Sequence, residues 1–467
     1  MTASSRWRTI VPFLPLVAAL VGSLAYWPGL VTWDSLRQYD QALSGAFDDW
    51  HPPAMEWIWR QCLGLVHGPA PMLVLQLALY GAGFALLIRA QLAAGRRGWA
   101  MLSACCALQP ILIALMATII KDSLMTGALL CAVGLVMTAE RAEGTGRAHA
   151  ARVGALLLCL FAATLRFNAL PAALPVAFWA LPPHWRNGWR RGSASAALLA
   201  LPLLAAMPVA NALIGVEHSD VALSLVIFDL GGMSDQAGVD LFPPVGVRDA
   251  VAVNHHCYNP ARWDSYSWWV DAPCPIGFEA VRDAFHASHR SPLLWWLSAV
   301  IHHPVAYILH RARHWNINAR FIVPDEVERP VQVQAPPNEW GFAVTPNGLV
   351  RGVDAAARAT SHSPLGWPCV WMAALAALLW HRRRALRCDL ITMLALSALL
   401  YGLGYAAASV ASELRYYLWT MCAGALALAG AVCERAAVPR LSAVQVAKAG
   451  ALPIIVALIC VGARLAG

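Results

Sequence analysis

The chain is poor in charge. Only 13% of its 467 residues are Asp, Glu, Lys or Arg, against about 25% in soluble domains. With 59% apolar residues and a positive mean hydropathy, this excludes a water-soluble globular protein and describes a polytopic membrane protein. No Walker pattern occurs, and Gly402-Leu403-Gly404 lies within an apolar run, so no nucleotide-driven motor is visible. No Cys/His set has zinc spacing: His255-His256 and His302-His303 are adjacent pairs, which point in different directions on regular elements. There is no internal repeat, and no low-complexity segment beyond alanine-rich runs. The first apolar segment has charged flanks but no small-residue cleavage site, so it is expected to remain as a helix.

What the chain does have is long apolar runs. About eleven windows are candidates to span a hydrocarbon core, which takes about 20 residues, near 10–27, 70–89, 99–119, 122–139, 152–168, 169–184, 193–214, 366–381, 389–411, 416–434 and 446–464; 152–168 and 169–184 are each short, and Pro171 and Pro175 interrupt the run. Every second connection is basic, from Arg6 and Arg8 through Arg89, Arg96 and Arg97, then Arg141, Arg147 and Arg152, then Arg186, Arg190 and Arg191. The series continues with Arg382, Arg383, Arg384 and Arg387, then Arg435 and Arg440. Lys and Arg in short loops mark the cytoplasmic side, so the N-terminus is expected inside and the C-terminus outside. The net charge of +8 is mostly this topology signal, not a nucleic-acid footprint.

Three regions follow: an N-terminal membrane module over 1–214 with a first outer loop at 28–69, an outer region over 215–365, and C-terminal spans over 366–467. The run near 292–315 carries His302, His303, Pro304 and His310 in its middle, which makes it interfacial. Of twelve cysteines most sit in spans as small apolar fillers. Cys257 and Cys274 fall in the outer region, where disulfides persist, and are expected to be bonded, with two free thiols as the alternative.

Polar chemistry gathers in the first outer loop, Trp27 to Arg60. Residues 32–44 are expected to form an amphipathic helix starting at Thr32, with Asp34 and Gln38 on one face. Asp48-Asp49-Trp50-His51-Pro52-Pro53 then breaks it before a second, tryptophan-rich surface helix from Ala54 to Leu65. A carboxylate there can take a proton as general base. Asp34 is the first choice, and Asp40 the second, as a metal or sugar-hydroxyl ligand. Three other helix ends, Lys121-Asp122, Arg166-Phe167-Asn168 and Glu413-Leu414-Arg415-Tyr416, deliver cations to the same outer side. Each could be neutralised by its acidic or amide neighbour; together, Lys121, Arg166 and Arg415 point to a phosphate or pyrophosphate ligand. Most tryptophans are interface anchors, with Trp33 and Trp50 candidates to stack on a sugar.

WDS-x-x-Q in the first outer loop, then HPP, KDS at a helix junction, LRFN, a long outer region and RYY near the end resemble the bacterial members of the GT-C glycosyltransferase superfamily. These are integral membrane enzymes akin to lipid A aminoarabinose transferases and protein O-mannosyltransferases. The resemblance implies an all-α GT-C-like fold and a sugar donor carried on a polyprenyl phosphate. Transfer would go to an envelope glycan, lipid or protein acceptor on the periplasmic side of a bacterial inner membrane, by single displacement with inversion. It makes Asp34 the first-loop catalytic residue and Lys121, Arg166 and Arg415 ligands of the donor phosphate, with Gln38, His51, Asp122, Asn168 and Tyr416 lining the substrates. The commonest form of the family has a tight acidic pair after the first helix. Here Asp34 is followed by Ser35, with Asp40 six residues on, so the motif leaves a divalent cation open. The rival is a polyprenyl-lipid flippase or transporter, which would use the same charges as a substrate path. A structural envelope partner would not depend on Asp34.

Overall fold

The computed structural model describes residues 10–324, 335–383, 389–436 and 443–466. Arg6, Arg8, Arg384, Arg387 and Arg440, which enter the orientation argument, lie outside the described residues, as do residues 325–334 of the expected outer region. Among the described residues every regular element is a helix. In chain order the first ten are α1 (Leu14–Ala25), α2 (Trp33–Ser44), α3 (Ala54–Leu63), α4 (Ala70–Ala93), α5 (Arg97–Ala107), α6 (Pro110–Met116), α7 (Lys121–Arg141), α8 (Gly146–Leu165), α9 (Leu170–Ala180) and α10 (Trp189–Ile214). Then come α11 (Ala222–Ala237), α12 (Ala250–Cys257), α13 (Phe278–Ser288), α14 (Pro292–His302) and α15 (Pro304–Asn318). The last are α16 (Gly348–Ser361), α17 (Pro368–Arg382), α18 (Leu390–Gly404), α19 (Leu418–Ala436) and α20 (Ala443–Ala466).

Helices stand where apolar windows were read, but fewer are full spans. Five described helices are long and apolar enough to cross a membrane, or up to seven if each of two bent pairs counts once. The shortfall is one of length: α9, with eleven residues, rises about 16 Å against a core of about 30 Å. Val11–Ala25, Leu390–Gly404 and Gly450–Ala466 are apolar but similarly short. The window at 99–119 is two helices, α5 and α6, bent by 54°, because Pro110 cannot continue the helix before it.

The chain divides into two compact units. In the first, residues 1–217, 328–402 and 415–458, α7 packs between α4 and α8 and α19 lies against α5 and α17. Gly83, Gly127 and Gly134 let α4 and α7 approach to where an added Cβ would meet backbone within 3.0 Å. Part of the stretch expected in the outer region, 335–365, belongs here: Trp340 and Phe342 pack their rings on Tyr39 at 5.3 and 5.0 Å, and Asn347 donates to the Ala25 carbonyl.

The second unit holds 218–327, 403–414 and 459–467. Its centre is Asp229 on α11, fully buried, which accepts hydrogen bonds from Trp296 Nε1 (2.7 Å) and His310 Nε2 (3.0 Å) and pairs with Arg311 (2.6 Å). A carboxylate there is tolerated only because three donors replace its water. His310 lies so close to Gly232 that a Cβ would sit 1.9 Å from the ring. Cys257 and Cys274 are bonded in this unit, their Cα atoms 5.8 Å apart.

Candidate active site

The first loop is built to hold one carboxylate still. Thr32 caps α2: its hydroxyl accepts from the Ser35 N–H at 3.3 Å, and Ser35 Oγ accepts from the Thr32 N–H at 2.9 Å. The Ser35 hydroxyl itself donates to the Ile119 carbonyl. Just before the cap, Leu30 and Thr118 form a parallel bridge, in which Leu30 N–H donates to Ala117 O at 3.2 Å and Ile119 N–H to Leu30 O at 2.8 Å. Gly29 makes this approach possible: with φ +124°, it leaves free a place where a Cβ would lie 2.3 Å from Ile119 Cδ1. Gln76 on α4 donates to the Thr118 carbonyl at 2.9 Å. The turn that launches Asp34 is therefore tied to the strand-like piece that launches Lys121.

Asp34 Oδ2 is 2.8 Å from Arg415 Nη1, and its Oδ1 is 3.8 Å from His51 Nε2. Lys121 Nζ donates to His51 Nδ1 at 2.7 Å. An ammonium can only donate, so the Nε2 that faces Asp34 carries the imidazole hydrogen. Arg166 pairs with the buried Asp122 and donates through Nε to Asn168 Oδ1 at 3.2 Å. Both guanidinium groups lie over the Tyr416 ring, Arg166 at 5.0 Å and Arg415 at 5.6 Å, which holds two like charges near each other through a shared π-face. Asp34, Asp122, Arg166 and Arg415 are all electrostatic neighbours of Lys121.

Three cations, Lys121, Arg166 and Arg415, thus stand beside two carboxylates, Asp34 and Asp122. Burial followed by the Lys121 charge pushes the His51 imidazole down to about 3, so it is neutral at pH 7. For Asp34, burial alone would raise the carboxyl, but Arg415, His51 and Lys121 override it and hold the group well below the usual carboxylate range. Its side chain keeps 27% of its surface open.

Of the residues read from sequence, Asp34, His51, Lys121, Asp122, Arg166, Asn168, Arg415 and Tyr416 meet here. Gln38 is completely buried on the same helix. Asp40 is exposed, since six residues turn it roughly 240° away from Asp34. Trp33 is exposed too, and Trp59 turns inward, its ring 5.2 Å from Tyr39 and its Nε1 on the Gly68 carbonyl. Sequence reasoning passed over Glu56, in the first turn of α3. It is fully buried beside Gln38, and neither side chain completes a well-formed hydrogen bond. Burial pushes the Glu56 carboxyl well above its ordinary value, with Gln38 and Lys121 offsetting part of the effect. An acidic residue amid Met55, Trp57, Ile58 and Trp59 was the available signal. A second signal was rarity, for Lys121 is one of two lysines in the sequence. Among the described residues no group of three His, Cys, Asp or Glu side chains converges to hold a metal ion.

No protein-family model and no curated protein matches the chain. Solved structures do, among them two of Archaeoglobus fulgidus oligosaccharyltransferase. One is the enzyme AglB in complex with an inhibitory peptide and a dolichol-phosphate, with 16% identity, a TM-score of 0.36, and coverage of 99% of this chain and 56% of that one. The other is tethered by a disulfide to an acceptor peptide with an NVT sequon, with 14% identity, a TM-score of 0.37, and coverage of 98% and 56%. The present chain therefore spans little more than half the length of the structures it matches.

Proposed function

We propose that the cluster is the reaction centre of a membrane glycosyltransferase that takes a sugar from a polyprenyl-phosphate donor. The observation that carries this reading is the meeting of Lys121, Arg166 and Arg415 beside Asp34 and Asp122. A sugar joined to a lipid through one phosphate is a phosphodiester with a single negative charge, which a set of converging cations suits. When it arrives, the two arginines turn from their carboxylates to the phosphate oxygens. Asp34, released from Arg415, recovers the basicity that the pair suppresses.

The acceptor hydroxyl then gives its proton to Asp34 and forms a bond to the anomeric carbon. The bond from that carbon to the phosphate oxygen breaks, its electrons stay on the phosphate, and the configuration inverts. Negative charge on the phosphate grows during the step, so the three cations hold the transition state more tightly than the donor. Lys121, kept in place by His51, is the fixed member of the trio. Asp122 has a buried oxygen without a hydrogen bond and, with Asn168, accepts or donates to sugar hydroxyls. The acceptor is an envelope glycan, lipid or protein, met at the outer face of the bacterial inner membrane.

The test is release of polyprenyl phosphate from a panel of polyprenyl-phosphate sugars incubated with envelope extract and the protein in lipid, wild type beside Asp34→Asn. Release that the substitution abolishes, with donor binding retained, supports the reading and Asp34 as base. Unchanged turnover removes Asp34 from the chemistry. Lipid movement between leaflets without turnover with any donor replaces the transferase by a flippase.

A further inference from the structure

The second unit contains a cavity of about 320 Å³ between α11, α13 and the start of α14. Its floor is apolar: Leu223, Val226 and Phe285 are almost completely buried, and Trp296 closes one wall. An apolar pit of this kind does not hold ordered water. At its mouth stand Arg282, His218, His286 and Asp220. The Asp220 carboxylate lies 3.4 Å from His218 Nε2 and 3.7 Å from His286 Nε2, and Arg282 is 3.2 Å from Asp283.

One lining residue leads outward. Leu293 is 63% exposed, and Leu297 and Ile301 follow it at helical spacing on the same face of α14. Beyond the break at His303, α15 exposes Val305, Ile308 and Leu309. The two helices are bent by 103°, so they do not form one straight span. A continuous leucine and isoleucine surface on a membrane protein is one that lipid covers, and the cavity opens beside it.

We infer that this cavity binds one acyl chain of a zwitterionic phospholipid bearing a primary ammonium, with its headgroup at the mouth. The chain enters along the exposed face of α14 and fills the pit over Leu223, Val226 and Phe285. The mouth carries both signs of charge: Arg282 takes the phosphate, and Asp220 takes the ammonium, which can donate to it as a choline headgroup cannot. A purely anionic headgroup could also give its phosphate to Arg282 but would bring no cation to Asp220. This site is independent of the transferase reading.

The experiment uses the full chain in nanodiscs containing phosphatidylethanolamine with a diazirine near the acyl terminus, followed by irradiation and mapping of the labelled peptides. Label is expected on the α11 and α13 segments that carry Leu223, Val226 and Phe285. Filling the pit with Val226→Trp, or with Leu223→Trp where the first variant fails to fold, should reduce that label by roughly tenfold while label on Leu297 and Ile301 persists. Label confined to the α14 surface, or unchanged in a folded filled variant, overturns the site. Unlabelled phosphatidylethanolamine should compete better than phosphatidylcholine or phosphatidylglycerol, and Asp220→Asn should erase that preference. Equal competition by all three overturns the headgroup assignment, and stronger displacement by polyprenyl phosphate overturns the acyl chain.

Discussion

Replacing Arg415 by glutamine separates the two tasks assigned to it. In the resting protein its Nη1 lies 2.8 Å from Asp34 Oδ2, with side chains 14% and 27% exposed. At that distance the Coulomb attraction is several kcal/mol at an effective dielectric of about 20, most of it offset by desolvation. The net loss of stability should be about 2 kcal/mol, between the values for exposed and fully buried pairs. Loss of one donor aimed at developing charge should lower turnover about 10² to 10³-fold. The diagnostic is the pH dependence. Arg415 is the largest of the influences that lower the Asp34 carboxyl, and burial, which remains, raises it. In Arg415→Gln the acidic limb of kcat/KM should therefore move to higher pH. The stability that the pair gives above the unfolded carboxyl value, lost as pH falls through the depressed folded value, should vanish. The assay is polyprenyl phosphate release against pH, with thermal melts alongside. A variant that loses turnover without moving its acidic limb would refute the claim that Arg415 sets the basicity of Asp34. One that keeps full turnover would remove the residue from the phosphate site.

Glu56→Gln should raise the melting temperature at pH 7 and leave it unchanged below pH 4.5: the folded carboxyl is raised, so the unfolded chain gives up its proton first and stability falls as pH rises above the ordinary value. His51 has the opposite signature. Its folded value is about 3 against 6.5, so stability is full above pH 6.5 and falls by up to about 1.4 kcal/mol per pH unit on the way down; melts of His51→Gln should lack that slope. Ser35→Ala removes a cap and the link to Ile119 together, and should cost about 1–2 kcal/mol in denaturant melts while lowering kcat more than donor affinity.

The helix from Thr32 and the set of charges at four chain positions were legible because each depends on local pattern: a cap residue, a period, a cation at the end of an apolar run. Pairing was not legible. Arg166 has Asn168 two residues away, yet its carboxylate partner is Asp122, forty-four residues back; only tertiary packing brings those helix ends together. Glu56 was lost for a related reason, since a glutamate in a surface helix reads as solvated until Gln38 is seen to cover it. The span count is not confirmed among the described residues, because apolarity runs on past Pro110 while the helix before it ends at Ala107.

The clamp between Leu30, Ser35 and the 117–119 segment has a dynamic corollary. Asp34 and Lys121 are fixed to one another through main chain, so they form a rigid jaw whose opening is not adjustable by rotamer changes alone. Arg415 and Tyr416 reach the same cluster from a separate turn, Leu414–Tyr417. Drift in side chains around the fixed jaw would leave its aperture intact, whereas a single residue inserted between Gly29 and Thr32 would misalign base and cation at once.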